Sequence, residues 1–125
     1  MEKTTLKELQ DLIVKFRDER DWEKFHLPKD LAIGLSIEAS EILEHFRFKT
    51  NEEINEYVNN EDNKKKLGYE MADTLIFLLA LAKVTNVDLV KSCHEKTEIN
   101  KKKYPIEKCK GRPNKYTEYT NDNPN

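Results

Sequence analysis

Leu67-Gly68-Tyr69-Glu70-Met71-Ala72-Asp73-Thr74-Leu75-Ile76-Phe77-Leu78-Leu79-Ala80-Leu81-Ala82 is the stretch that decides the fold. Its pattern predicts a helix from about Asp62 or Lys64 to Lys83 or Val84. Around the helical wheel Leu67, Met71, Leu75, Ile76, Phe77, Leu78, Leu79 and Leu81 leave almost no polar face. Such a helix is expected to be buried on nearly all sides, in the core or in a subunit interface. Glu70 and Asp73 are the charges inside it, and three-residue spacing puts them on one face. A carboxylate buried without a partner costs several kcal/mol, roughly what a small domain has to spare. One turn to either side of Asp73 stand Tyr69 and Phe77, so the helix itself offers no neutralising cation.

The same spacing recurs at Glu38 and Glu41, in a helix expected from about Pro28 to Phe46. At about 100° per residue, Leu31, Ile42, Leu35, Phe46, Ala39, Ala32 and Leu43 fill one arc of that wheel. Glu38 lies at the edge of the arc, while Glu41 is turned slightly away and Glu44 continues the stripe. For Glu41 and Glu44 a solvated acidic surface is the plain alternative. If the two helices face each other, four acids converge, and their repulsion must be relieved by protons or a cation.

Outward from these helices the chain reads as helical throughout. Thr4 or Thr5 caps a first helix, with Glu8 completing a capping box and Leu6, Leu9, Leu12, Ile13 and Phe16 at helical spacing to about Arg20. The segment Asp21-Trp22-Glu23-Lys24-Phe25-His26-Leu27-Pro28 interrupts the pattern, and Pro28 suits the first turn of the next helix. Phe25 is expected to plug the core, whereas Trp22 and His26, on a connector, are candidates for gripping a planar ligand. Between Lys49 and Lys66 the chain turns polar, with Ile54, Tyr57 and Val58 marking a short helix. Asp88 caps a last basic helix, Leu89 to about Lys103, ended by Pro105. One domain over residues 1–118 is expected, with a disordered tail over 119–125.

The 125 residues are 37% charged and 37% hydrophobic, with three Gly and four Pro, which suits an amphipathic all-α protein of four to five helices better than a turn-rich β fold. A net charge of −2 gives no basic field for nucleic acid. Cys93 and Cys109 fit free thiols in a reducing compartment. Met1-Glu2-Lys3-Thr4-Thr5 lacks the apolar core of a signal peptide, and the run Met71–Ala82 is too short to span a bilayer, so a cytoplasmic protein without membrane contact is expected.

An all-oxygen donor set points to a hard cation, Mg²⁺ or Mn²⁺. A helical di-iron site would want Glu-x-x-His on two helices, and here the residues three after Glu41 and Glu70 are Glu44 and Asp73. Gly34, Gly68 and Gly111 are isolated, so there is no phosphate-cradling glycine loop, and no Ser-His-acid pattern offers a covalent nucleophile. What remains is metal-assisted attack by water on a phosphoanhydride. Glu41, turned toward where water could sit, and Glu38 are the candidate catalytic carboxylates.

The run Arg17-Asp18-Glu19-Arg20-Asp21-Trp22-Glu23-Lys24-Phe25-His26-x-Pro28, then Glu38-x-x-Glu41-x-x-Glu44, Glu70-x-x-Asp73 and Lys96-x-x-x-Asn100-Lys101-Lys102-Lys103-Tyr104-Pro105, resembles the all-α MazG-type nucleotide pyrophosphohydrolases. The match is closest to their dCTP pyrophosphatase branch and extends from about Leu6 to Lys115-Tyr116-Thr117-Glu118. The resemblance implies hydrolysis of a deoxynucleoside triphosphate to monophosphate and pyrophosphate. It implies Mg²⁺ on Glu38, Glu41, Glu70 and Asp73, and a homotetramer or dimer completing each site. For the nucleotide it implies Trp22, Glu23, Lys24, Phe25 and His26, with Phe48 and Phe77 in the base pocket and Lys96, Asn100, Lys103 and Tyr104 toward the phosphates. Three pocket positions depart from the animal enzymes of that branch: Ile13 stands for a His, Phe48 for a Trp and Phe77 for a Tyr. Loss of imidazole and hydroxyl removes the groups that discriminate most strongly between bases. A hydrolase for modified nucleotides is therefore the alternative enzyme reading, and a catalytically silent helical oligomerisation module the alternative outside enzymes.

Overall fold

Thr5 starts the first helix as the capping box requires. Its Oγ1 accepts from the Glu8 N–H at 3.2 Å, while the Glu8 carboxylate accepts from the Thr5 N–H at 2.7 Å. The computed structural model describes residues 3–121, with side chains through 118. Helix α1 spans Leu6–Glu19, α2 Pro28–Glu44, α3 Asn51–Asn59, α4 Glu61–Thr85, α5 Leu89–Lys103 and α6 Ile106–Cys109. Short 3₁₀ turns cover Glu23–Phe25 and Tyr116–Asn121, and no strand occurs among the described residues. The all-α expectation holds, the four to five helices being α1–α5 with α6 an added turn. Of the expected tail, residues 122–125 lie outside the described residues.

Each start has its chemical cause. Thr50, Asn60 and Asp88 accept from the N–H groups of Glu53, Asn63 and Lys91 at 3.2, 3.1 and 3.1 Å; such a cap is worth about 1 kcal/mol. Pro28 occupies the first turn of α2, where its missing N–H costs nothing. α4 ends at Asn86, whose φ of 56° is the left-handed conformation that asparagine tolerates.

Contacts divide the chain into two units, one ending at Asn86 and one beginning at Val87. In the first, α1, α2 and α3 all pack on α4, and α2 makes the most extensive contact. Leu31, Leu79, Ala80 and Ala82 form its fully buried apolar core. The Gln10 side-chain amide ties α1 to α4 by donating to the Leu79 carbonyl at 3.1 Å. In the second unit, Tyr104 meets Tyr116 edge-on at 6.0 Å and the Lys103 ammonium lies 5.1 Å from the Tyr116 ring. Cys93 and Cys109 are free thiols. No helix among the described residues is long and apolar enough to cross a membrane.

One expectation about burial is narrowed and one is corrected. Of the two places expected for α4, the core of a single chain does not enclose it: Met71, Leu75 and Leu78 remain 56%, 38% and 36% exposed. Along the stripe Met71–Leu75–Leu78–Ala82 the first three side chains stay exposed and only Ala82, toward the C-terminal end of the helix, is buried. Phe25 does not plug the core but is 62% exposed, because the 3₁₀ turn lifts it outward.

Candidate metal centre

Because α2 lies against α4, acids from both helices meet. Carboxylate oxygens of Glu38, Glu70 and Asp73 all come within 4.8 Å of one another. Glu38 and Glu70 are half-buried and Asp73 is exposed. Among the described residues none of the three forms an ion pair. Three formal negative charges therefore converge with no cationic side chain to offset them. Partial removal from water, and then Asp73, Glu70 and Glu41, push the Glu38 carboxyl above its ordinary range. Three hard oxygen donors from two packed helices fit a divalent cation of the Mg²⁺ class.

Glu41 is not part of this trio. It is exposed, yet near enough for its charge to act on Glu38. Glu44, next along the stripe, pairs with Arg47 at 3.4 Å as an ordinary surface contact.

The Glu38 shift has a measurable consequence. In the folded, metal-free protein its proton is kept to higher pH than in the unfolded chain. Between the ordinary 4.5 and the raised value the folded state binds more protons, so stability falls as pH rises. His26 acts in the opposite sense. Burial and then Arg17 hold its imidazole below 6.5, with Asp18 offsetting, so its contribution recovers as pH rises toward 6.5. Comparison with Glu38→Gln isolates the first effect. In EDTA the melting temperature of the wild type is expected to fall relative to that variant as pH is raised from 4.5, and Mg²⁺ is expected to close the gap. A pH-independent difference would show Glu38 to be in ordinary solvent.

The aromatic candidates occupy the connectors. Trp22, 44% exposed, meets Phe16 edge-on at 5.9 Å, and the Arg20 guanidinium lies 3.6 Å from the Phe16 ring centre. Glu23 is exposed, and Lys24 pairs with Asp21 at 3.0 Å and lies 5.5 Å from the Phe25 ring. His26 is half-buried, and its Nδ1 is the one buried side-chain polar atom among the described residues without a hydrogen-bond partner. Phe48, 90% exposed, has φ of 62°, a conformation costing about 1–3 kcal/mol for a bulky side chain, and the Arg47 guanidinium sits 4.6 Å from its ring. Phe77 is half-buried against Gly34 on α2. Lys96, Asn100, Lys103 and Tyr104 belong to the second unit, where Lys96 and Asn100 are exposed.

Two features escaped the sequence reading. Arg17, on the apolar side of α1, is the one buried charged residue among those described, its guanidinium held at 2.8 Å by Asp18. The His45 Nδ1 lies 2.6 Å from the Tyr57 hydroxyl, fastening the end of α2 to α3. A charged residue at a buried wheel position signals the first; nothing in the spacing signals the second.

Residues 33–119 match the model of the MazG-like family. The chain belongs to the MazG-like family. The matched span includes all three converging acids and Glu41. Over 114 residues, 91% of this chain and 67% of the relative, the chain is 37% identical to the human protein named dCTP pyrophosphatase 1. The bovine protein of that name is 36% identical over 91% of this chain and 68% of its own. Among solved structures, a pyrophosphatase from Archaeoglobus fulgidus superimposes with a TM-score of 0.75 at 38% identity, covering 84% of this chain and 96% of its own. The α2–α4 arrangement is thus the scaffold of a MazG-like protein, and its acids lie on the two helices in closest contact.

Proposed function

We propose that this protein hydrolyses dCTP, or a closely related pyrimidine deoxynucleoside triphosphate, to the monophosphate and pyrophosphate. The class, a nucleotide pyrophosphohydrolase, follows from membership of the MazG-like family and from relatives named for dCTP cleavage. The observation that carries the chemistry is the unneutralised convergence of Glu38, Glu70 and Asp73. These three would hold Mg²⁺, or Mn²⁺ in its place, with Glu41 completing the set. A cation held by these residues would supply neutralisation of phosphate oxygens and activation of the attacking water. Glu41, exposed beside the trio, orients the attacking water and accepts its proton, while Glu38 shares the acid–base work. Trp22, Glu23, Lys24, Phe25 and His26 border the nucleotide, Phe48 and Phe77 stack on or wall the base, and Lys96, Asn100, Lys103 and Tyr104 meet the phosphates.

The exposed apolar stripe of α4 formed by Met71, Leu75 and Leu78 supports a homo-oligomer, and a tetramer is our reading. A lone catalytically silent module is disfavoured by relatives that are named as enzymes.

Base choice is open to a second reading on one observation: Phe48 and Phe77 present rings without a polar handle. A panel of canonical and modified deoxynucleoside triphosphates, with pyrophosphate and monophosphate quantified, decides it. The expected result is Mg²⁺-dependent release from dCTP at least as fast as from any other substrate. Faster turnover of a modified nucleotide would replace pool balance by removal of damaged precursors.

A further inference from the structure

Gly34 and Phe77 make the closest approach of α2 to α4 found at any described glycine. A Cβ built on Gly34 would lie 2.7 Å from Cδ1 and 2.8 Å from Cζ of the Phe77 ring, so the ring sits flat on the glycine backbone. Carbon atoms in favourable contact stand about 3.5–4.0 Å apart. An added methyl group would force ring and helix apart by about 1 Å. The other described glycines show no such need, since nothing lies within 4 Å of a Cβ on Gly68 or Gly111.

The location is what gives the contact a role. Gly34 precedes Glu38 by four residues on α2, and Phe77 follows Asp73 by four on α4. Four residues are one helical turn, about 6 Å along the axis, and keep the same face. The ring-on-glycine contact and the carboxylate cluster are therefore consecutive contacts of the same helix pair. One is attractive and rigid; the other is three like charges that push α2 and α4 apart. We propose that Gly34 is a positioning residue for the metal centre: by letting the Phe77 ring seat against α2, it fixes the spacing and register that hold Glu38 within reach of Glu70 and Asp73. The proposal rests on the reading of those acids as cation ligands.

The test is Mn²⁺ affinity measured directly, by the electron paramagnetic resonance signal of the free ion, on the purified protein and its variants, with melting curves alongside. Wild type is expected to bind Mn²⁺ and Glu38→Gln to lose that binding. Folded Gly34→Ala is expected to bind roughly tenfold more weakly or worse, as changes around metal ligands commonly do. Gly34→Ala combined with Phe77→Leu is expected to recover most of the affinity, because the smaller side chain vacates the volume the methyl takes. A core-packing role alone would lower the melting temperature and leave the affinity of the folded protein unchanged. Wild-type affinity in Gly34→Ala, or no recovery in the double variant, overturns the proposal. If Gly34→Ala does not fold, Phe77→Leu alone decides: removal of the ring is expected to weaken Mn²⁺ binding severalfold, and unchanged affinity overturns the proposal. Wild type that binds no Mn²⁺ overturns the metal reading itself, and Gly34 with it.

Discussion

Asp73→Asn is expected to lower pyrophosphate release at least a hundredfold at saturating Mg²⁺, the scale seen when one charge-stabilising group is removed from an active site. At the same time it is expected to raise the melting temperature of the metal-free protein. Both effects come from one cause. After partial removal from water, the Asp73 carboxylate is what most pushes Glu38 away from its charged form, so its negative charge is a liability until a cation arrives. The isosteric amide removes that charge, relieves the repulsion and leaves one hard anionic donor fewer. Glu38→Gln is expected to do the same from the other helix. Paired measurement of turnover and of melting in EDTA checks both halves. Full activity in either variant would remove these acids from the site. Loss of activity with a lowered melting temperature in EDTA would mean that the variant had damaged the fold.

That trade-off also explains which parts of the molecule the sequence could disclose. Two charges in the apolar run of α4 were visible because such a helix offers them no cation, and the structure brings both to Glu38. The limits of α5 and the Thr5–Glu8 box were legible because caps are local hydrogen bonds between residues three apart. Burial was less legible, since a wheel reports which side of a helix is apolar and not what covers it. Leu78 and Leu79 are the same residue side by side in the chain, yet the first is 36% exposed and the second 1%. Phe25 obeys the same rule: its place in a 3₁₀ turn, rather than its hydrophobicity, determines its exposure. Gly34 stands in the sequence as an isolated glycine because its partner is 43 residues away in the chain, and no local pattern encodes a packing contact of that range.

The second large effect is expected at Leu79, where stability and metal binding meet. Leu79 is the most deeply buried large side chain, 1% exposed, and its carbonyl accepts the Gln10 amide from α1. Leu79→Ala removes apolar contacts and leaves a cavity where few others share the load; the cost is about 2–5 kcal/mol. For a chain of this size that lowers the melting temperature by roughly 10 °C or more. Few core residues are fully buried, so the loss is a large fraction of the total. Yet Leu79 supplies none of the acids, which lie about two and a half and about one and two-thirds turns upstream on α4. Ligand binding to the folded state alone stabilises by about 2.7 kcal/mol at a hundred times its Kd. Mg²⁺ at that excess is therefore expected to restore much of the thermal stability of Leu79→Ala. It is expected to restore none to Leu79→Ala combined with Asp73→Asn. Melting curves of the two proteins with Mg²⁺ and with EDTA separate the contributions. If Mg²⁺ raises both melting temperatures equally, the cation stabilises the protein from somewhere other than Glu38, Glu70 and Asp73.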